Sequence, residues 1–370
     1  MDKLRVLQMI CPVGFYGAER WVVALGNNFN AEDLTCELAV TKEGDYQNLE
    51  ILPVYRQSGF SAHAVEMSSS MDPRVITKLV TLIKKQKIQI VHTHGYKSDI
   101  LGLAAARIAG VKCVSTPHGF GIPATKKLRA FTALGKLSLR FMDAVAPLSR
   151  QLEQEVLAAG VAAKKITYIQ NAVDLLEVDN FLADKPASSA ASKTVGFVGQ
   201  MIPRKNITDL LDVFDALWRD DANLKLQLLG DGPERPALEV YAKTLESFPA
   251  IEFLGFRADR LALMAQFDLF AMTSRDEGIP RCLMEAMALK IPVAAYDIQG
   301  IDQLVENNRS GRLTPLGDKA SLQQAWKDIL YDPAVTESLG EEARATIDRN
   351  FSAKRMAAQY LELYRGVMAQ

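Results

Sequence analysis

Short apolar runs alternate with amphipathic helical patterns along almost the whole chain, and few folds accept that alternation. Strand-like runs fall at 4–10, 36–41, 62–67, 88–94, 112–118, 144–149 and 166–170, with helical patterns from 17 to about 29, at 73–85 and at 98–109 between them. A second series begins at 194–199 and continues through 224–229, 251–257, 269–274, 292–296 and 311–315, followed by helices at 319–330, 341–349 and 353–367. Strands alternating with helices predict parallel sheets covered on both faces, with ligands beyond the carboxyl ends of the strands. A chain of 370 residues is also too long for one ordinary core, so the α/β series splits into two Rossmann-like domains. The polar, small-residue stretch 184–192 reads as the linker between them.

Composition removes several classes of function. Lys plus Arg number 43 against 44 Asp plus Glu, a formal net charge of -1, so no global charge bias argues for nucleic acid. Hydrophobic residues make up 48% and charged residues 24%, as in a folded globular protein. The first residues enter a short apolar strand rather than a signal-like run, and no later apolar stretch is long enough to span a bilayer; a cytoplasmic protein is expected. Cys11, Cys36, Cys113 and Cys282 are scattered without metal-ligand spacing and read as buried thiols. His92 and His94 end one strand run, but no acidic or cysteine partner stands near them at ligand spacing, so structural hydrogen bonding is favoured over a metal.

The chemistry concentrates at Ser274-Arg275-Asp276-Glu277-Gly278-Ile279-Pro280-Arg281-Cys282-Leu283-Met284-Glu285. Pro280 suits the start of a helix, which puts Glu277 on a strand-end loop and Glu285 roughly two turns along the helix. A helix N-terminus offers free N–H groups and a positive dipole end to an anion such as a diphosphate, and the two carboxylates can accept from sugar and ribose hydroxyls on either side of it. A solvated acidic loop before an ordinary helix is the plainer alternative. Upstream, Arg204 and Lys205 follow the strand run at 194–199, either as an exposed basic turn or as cations for a departing diphosphate. Residues 125–142 form a basic amphipathic pattern with Lys126, Arg129, Lys136 and Arg140 on one side and Leu128, Phe131, Leu134, Leu139 and Phe141 mainly on the other. It reads either as a sheet-covering helix with a solvated basic side or as a surface for anionic lipid.

The order of strand, Glu277-Gly278-Ile279-Pro280, helix and Glu285 resembles the E-x7-E signature of the retaining glycosyltransferases of family 4. That resemblance implies the GT-B fold: two Rossmann-like domains at 1–185 and 186–350 facing a deep interdomain cleft, with residues 351–370 crossing back to the first. It implies His118 near the transferred sugar, Gly17 in a donor-phosphate loop, Arg257 at the nucleobase, Gly278, Ile279, Pro280 and Leu283 against the donor, and Glu285 on the ribose. A histidine that merely caps its turn remains the alternative for His118. Where the family often has arginine after the glycine at the end of its strand, this chain has Gln200, leaving Arg204 as the candidate substitute. The implied activity is metal-independent transfer from a UDP- or GDP-sugar to a glycan or lipid-linked acceptor in the synthesis of a bacterial lipopolysaccharide, capsule or other surface glycan. A nucleotide-sugar 2-epimerase and a non-catalytic sugar-nucleotide sensor are the alternatives. Sequence leaves the oligomeric state open.

Overall fold

The computed structural model describes residues 3–12, 14–15, 17–44, 49–69, 72–120, 126–183 and 192–370, without the side chains of 126, 127 and 183. It divides into two compact units, one made of Met1–Ala172 with Ala353–Gln370 and the other of Val173–Ser352. The division thus falls nearer the amino terminus than the expected 185/186 boundary, and the helix Leu175–Ala183 belongs to the second unit. Most of the expected linker, 184–191, lies outside the described residues.

In the first unit six strands, β1 (Leu4–Ile10), β2 (Leu34–Glu43), β3 (Ala62–Met67), β4 (Ile90–His94), β5 (Lys112–Thr116) and β6 (Ala144–Val145), form one parallel sheet in the order β3-β2-β1-β4-β5-β6. Side chains alternate across it. Val6 and Ile10 join one core with Trp21, Tyr360 and Tyr364, whereas Leu7 and Met9 join another with Val75, Leu79 and Leu101. The terminal helix Ala353–Met368 supplies Tyr360 and Tyr364, so the end of the chain is part of the first unit's core, as the GT-B resemblance implied.

In the second unit β7 (Thr194–Val198), β8 (Lys225–Leu229), β9 (Ile251–Gly255), β10 (Leu269–Met272), β11 (Val293–Asp297) and β12 (Arg312–Pro315) repeat the plan in the order β12-β11-β10-β7-β8-β9. Here Phe270, Met272 and Ala295 pack with Leu283, Met284 and Met287 of the helix Arg281–Ala288, while Leu269, Ala271 and Tyr296 face the opposite core. Each sheet therefore reverses its strand order beside its first strand, between β1 and β4 and between β7 and β10, and such reversals open a ligand crevice.

Four local expectations need correction. The strand expected at 144–149 is only Ala144–Val145, and the one at 166–170 reduces to a bridge between Val145 and Ile166. Pro147 has no N–H to complete that ladder, although its carbonyl still accepts from Ile169. The helix expected at 341–349 begins at Pro333, because Asp332 accepts from the N–H groups of Ala334 and Val335 and proline occupies the first turn. In the helix Lys126–Leu139 and the turn after it, Gly135, Ser138, Leu139 and Met142 are buried, but Leu134, Leu137 and Phe141 are exposed. Gly135 sets that rotation: a Cβ there would lie 2.4 Å from Cβ of Tyr96 on the neighbouring helix.

Candidate active site

The strongest chemical group in the second unit lies at its strand-order reversal. The loop after β7 carries Arg204 and Lys205, and the loop after the adjacent β10 carries Glu277. The two loops are tied together by the Arg275 N–H donating to the Arg204 carbonyl at 2.8 Å and by the Thr273 hydroxyl donating to the Asn206 carbonyl at 2.9 Å. Lys205 Nζ donates to Glu277 Oε1, and Arg204 Nη1 donates to Glu277 Oε2 at 2.9 Å and to the Asp276 carbonyl at 2.8 Å. Burial alone would raise the Glu277 carboxyl, but Lys205 and Arg204 outweigh it and hold the group below the usual range. Two cations against one carboxylate leave one positive charge at this crevice.

Glycine lets the neighbouring loop close over that backbone. Gly300, which follows β11, has φ +97, and a Cβ there would lie 1.8 Å from the Gly278 carbonyl oxygen and 2.4 Å from that of Glu277. Pro280, with φ -74 and ψ 123, precedes the helix Arg281–Ala288, whose first-turn N–H groups lie just beyond the Glu277 loop. Ile279 and Leu283 are buried in the apolar core beneath it, while Gly278 is half-buried.

Glu285 is also buried, and it is clamped. Arg260 donates to both its oxygens, at 2.7 and 3.0 Å, and Arg281 Nε donates to Oε1 at 2.9 Å. Glu177 stands behind both arginines, 3.3 Å from Arg260 and 3.7 Å from Arg281. Burial acts to raise the Glu285 carboxyl, yet Arg260 and then Arg281 bring it down to about 2. Nη1 of Arg281 is buried and makes no hydrogen bond among the described residues. Arg257, the arginine the sequence singled out, is instead exposed and paired with Asp259 at 2.7 and 2.6 Å; Arg260, three residues on, reaches Glu285. Gln200 is exposed, and Arg204 rather than a residue at that position meets Glu277.

In the first unit His92, His94 and His118 form a cluster where its own strand order reverses. His92 Nδ1 lies 2.7 Å from the Tyr364 hydroxyl and Nε2 2.8 Å from Thr116 Oγ1, so both ring nitrogens have protein partners. His94 Nε2 lies 2.6 Å from Gln8 Oε1 and Nδ1 3.2 Å from Nε2 of His118. His118 is half-buried, with the Trp21 ring edge-on at 5.1 Å, and burial pushes its pKa down to about 4. Gly17 opens the helix Gly17–Asn27, and apart from its chain neighbours and its own helix backbone a Cβ there would meet no atom of the described residues within 4 Å.

Solved structures share this pair of doubly wound sheets. Anabaena Alr3699/HepE in complex with UDP superposes with a TM-score of 0.79 at 21% identity, covering 98% of this chain and 100% of that one. The architecture is that of a GT-B glycosyltransferase. Residues 15–176 match the family described as Glycosyltransferase Family 4, and residues 192–332 match Glycosyl transferases group 1. The chain belongs to the family 4 glycosyltransferases. Among curated relatives, the N-acetyl-alpha-D-glucosaminyl L-malate synthase of Bacillus anthracis is 24% identical over 306 residues, 80% of each protein. The UDP-Gal:alpha-D-GlcNAc-diphosphoundecaprenol alpha-1,3-galactosyltransferase of Escherichia coli is 27% identical over 310 residues, 79% of each.

Proposed function

We propose that this protein moves a sugar from a UDP- or GDP-sugar to an acceptor hydroxyl with retention at the anomeric carbon and without a metal. The observation that carries the reading is the buried Glu277 held ionised by Lys205 and Arg204 at a strand-order reversal, directly before a helix N-terminus. Lys205 and Arg204 take the charge growing on the leaving diphosphate, together with the N–H groups of the first helical turn. Glu277 fixes both cations and presents its remaining lone pairs to the donor sugar, with the Gly278-Ile279-Pro280 backbone alongside. Glu285 holds the ribose, in an orientation set by Arg260 and Arg281. A diphosphate oxygen takes the acceptor proton during same-face attack, so no separate base is assigned. Complexes of Anabaena HepE with UDP and UDP-glucose, and the UDP-Gal donor in the E. coli relative's name, support a uridine donor. The lipid-linked acceptor in that name supports a role in a bacterial surface glycan.

Turnover of UDP-glucose, UDP-galactose and GDP-mannose with a GlcNAc-diphospho-lipid acceptor, with the product anomer read by NMR, tests this. Retained configuration, undiminished rate in EDTA and no transfer by Glu277→Ala are expected. Full activity in Glu277→Ala, or conversion of donor alone to its 2-epimer, contradicts it. No helix among the described residues is long and apolar enough to cross a membrane. The exposed Leu134, Leu137 and Phe141 beside exposed Arg129 and Arg140 favour peripheral contact with anionic lipid.

A further inference from the structure

Directly after Lys205, the buried Asn206 stands alone between the short turn Pro203–Lys205 and the helix Ile207–Trp218, in the left-handed conformation with φ +50 and ψ 46. An asparagine at the N-cap of a helix ordinarily accepts from an N–H of the first turn. Here the side chain makes no capping bond and is used elsewhere. Its Nδ2 donates to Asp209 Oδ2 at 2.6 Å, and its Oδ1 accepts from Arg275 Nη2 at 3.0 Å. A guanidinium only donates and a carboxylate only accepts, so this amide has one possible orientation. The same Asp209 oxygen accepts from the Tyr296 hydroxyl of β11 at 3.0 Å. One side chain thus ties the Arg204–Lys205 turn to the helix that follows it and to the loop that carries Glu277. The dihedrals of Asn206 also set the direction in which Lys205 leaves the start of that helix. Asparagine visits the left-handed region without being confined to it, so the two side-chain bonds are what hold the turn in this shape.

We propose that Asn206 is a positioning residue for transfer, whose amide, braced by Asp209 and Arg275, holds Arg204 and Lys205 at the spacing from Glu277 at which both cations meet one diphosphate. The proposal rests on the diphosphate-binding role of Lys205 and Arg204 and deepens it. A misplacement of about 1 Å can cost about a hundredfold in rate, so a residue that touches no substrate is felt in kcat.

Asn206→Gly keeps the left-handed backbone free of steric cost and removes only the amide. Well below its melting temperature, its transfer kcat should fall about tenfold and its affinity for UDP by calorimetry about threefold, with the acceptor KM unchanged. Asn206→Asp sets two carboxylates against each other and should lose at least as much. In the double variant Asn206→Asp with Asp209→Asn, amide and carboxylate trade places. The amide nitrogen then has one proton for the carboxylate and one for the Tyr296 hydroxyl, and Arg275 still donates. Its kcat and UDP affinity should return to within about threefold of the parent values. A lowered melting temperature with parental kcat and UDP affinity in Asn206→Gly would make the residue merely structural and overturn the proposal. A double variant no better than Asn206→Asp alone would overturn it too. The UDP series reads Asn206 whether or not an acceptor is turned over, so its failure is separate from that of the glycosyl-transfer reading, which Glu277→Ala tests.

Discussion

Replacing Glu285 by glutamine keeps the side chain's shape and removes its charge from between two arginines. The carboxyl's fall from an ordinary 4.5 to about 2 corresponds to about 3 kcal/mol of stability at 1.36 kcal/mol per pKa unit. Glu285→Gln also leaves Arg260 buried without its main counter-charge, so the second unit should lose about 3–5 kcal/mol at pH 7. The sign is fixed by the direction of the shift. A carboxyl depressed in the folded state stabilises above its unfolded value of 4.5, and that stabilisation fades as pH falls toward about 2. The gap between parent and variant should therefore be full at pH 6 and smaller at pH 3. Urea unfolding followed by fluorine NMR of 5-fluorotryptophan distinguishes Trp218 and Trp326 of the second unit from Trp21 of the first. A gap below about 1 kcal/mol at pH 7, or one that does not narrow at low pH, would refute the argued clamp.

Gly300→Ala places a methyl group against the Gly278 carbonyl at a positive φ, and should cost about 2 kcal/mol or more in thermal unfolding while weakening nucleotide binding. An unchanged melting temperature would show that the loop closes differently. Arg260→Leu should weaken UDP binding more than Arg257→Leu, because Arg260 bonds to Glu285 and Arg257 to Asp259; calorimetry giving the opposite order would make Arg257 the stronger nucleotide contact. Phosphatidylglycerol vesicles should sediment the protein, phosphatidylcholine vesicles should not, and Leu134→Ser with Phe141→Ser should release it. No sedimentation of the parent protein with either vesicle removes the membrane contact.

Both sheets were legible in the sequence because each strand is a short apolar run closed by turn residues, and runs buried on both faces leave little else to fit. The Glu277 loop was legible for the same reason: Met272 ends a buried strand, Pro280 opens a helix, and the residues between have one place to go. What the sequence did not show depends on angles that spacing does not encode. That Arg260 reaches Glu285 follows from how the turn before the short helix Arg260–Met264 aims that side chain, and no spacing in the sequence marks it. The exposed face of the helix Lys126–Leu139 is set by Gly135 lying against Tyr96, a contact between residues 39 positions apart. Gln8 left only a faint trace, a polar residue at an inward position of an otherwise apolar strand. Its partner Tyr364 stands on the last helix, at the far end of the chain, and only the fold joins them.

A structure determined with UDP or GDP bound tests the account most directly. The diphosphate is predicted against Lys205, Arg204 and the first turn of the helix Arg281–Ala288, with ribose hydroxyls on Glu285. A nucleotide bound elsewhere, with the Lys205–Glu277–Arg204 group unchanged and in contact only with solvent, would contradict it.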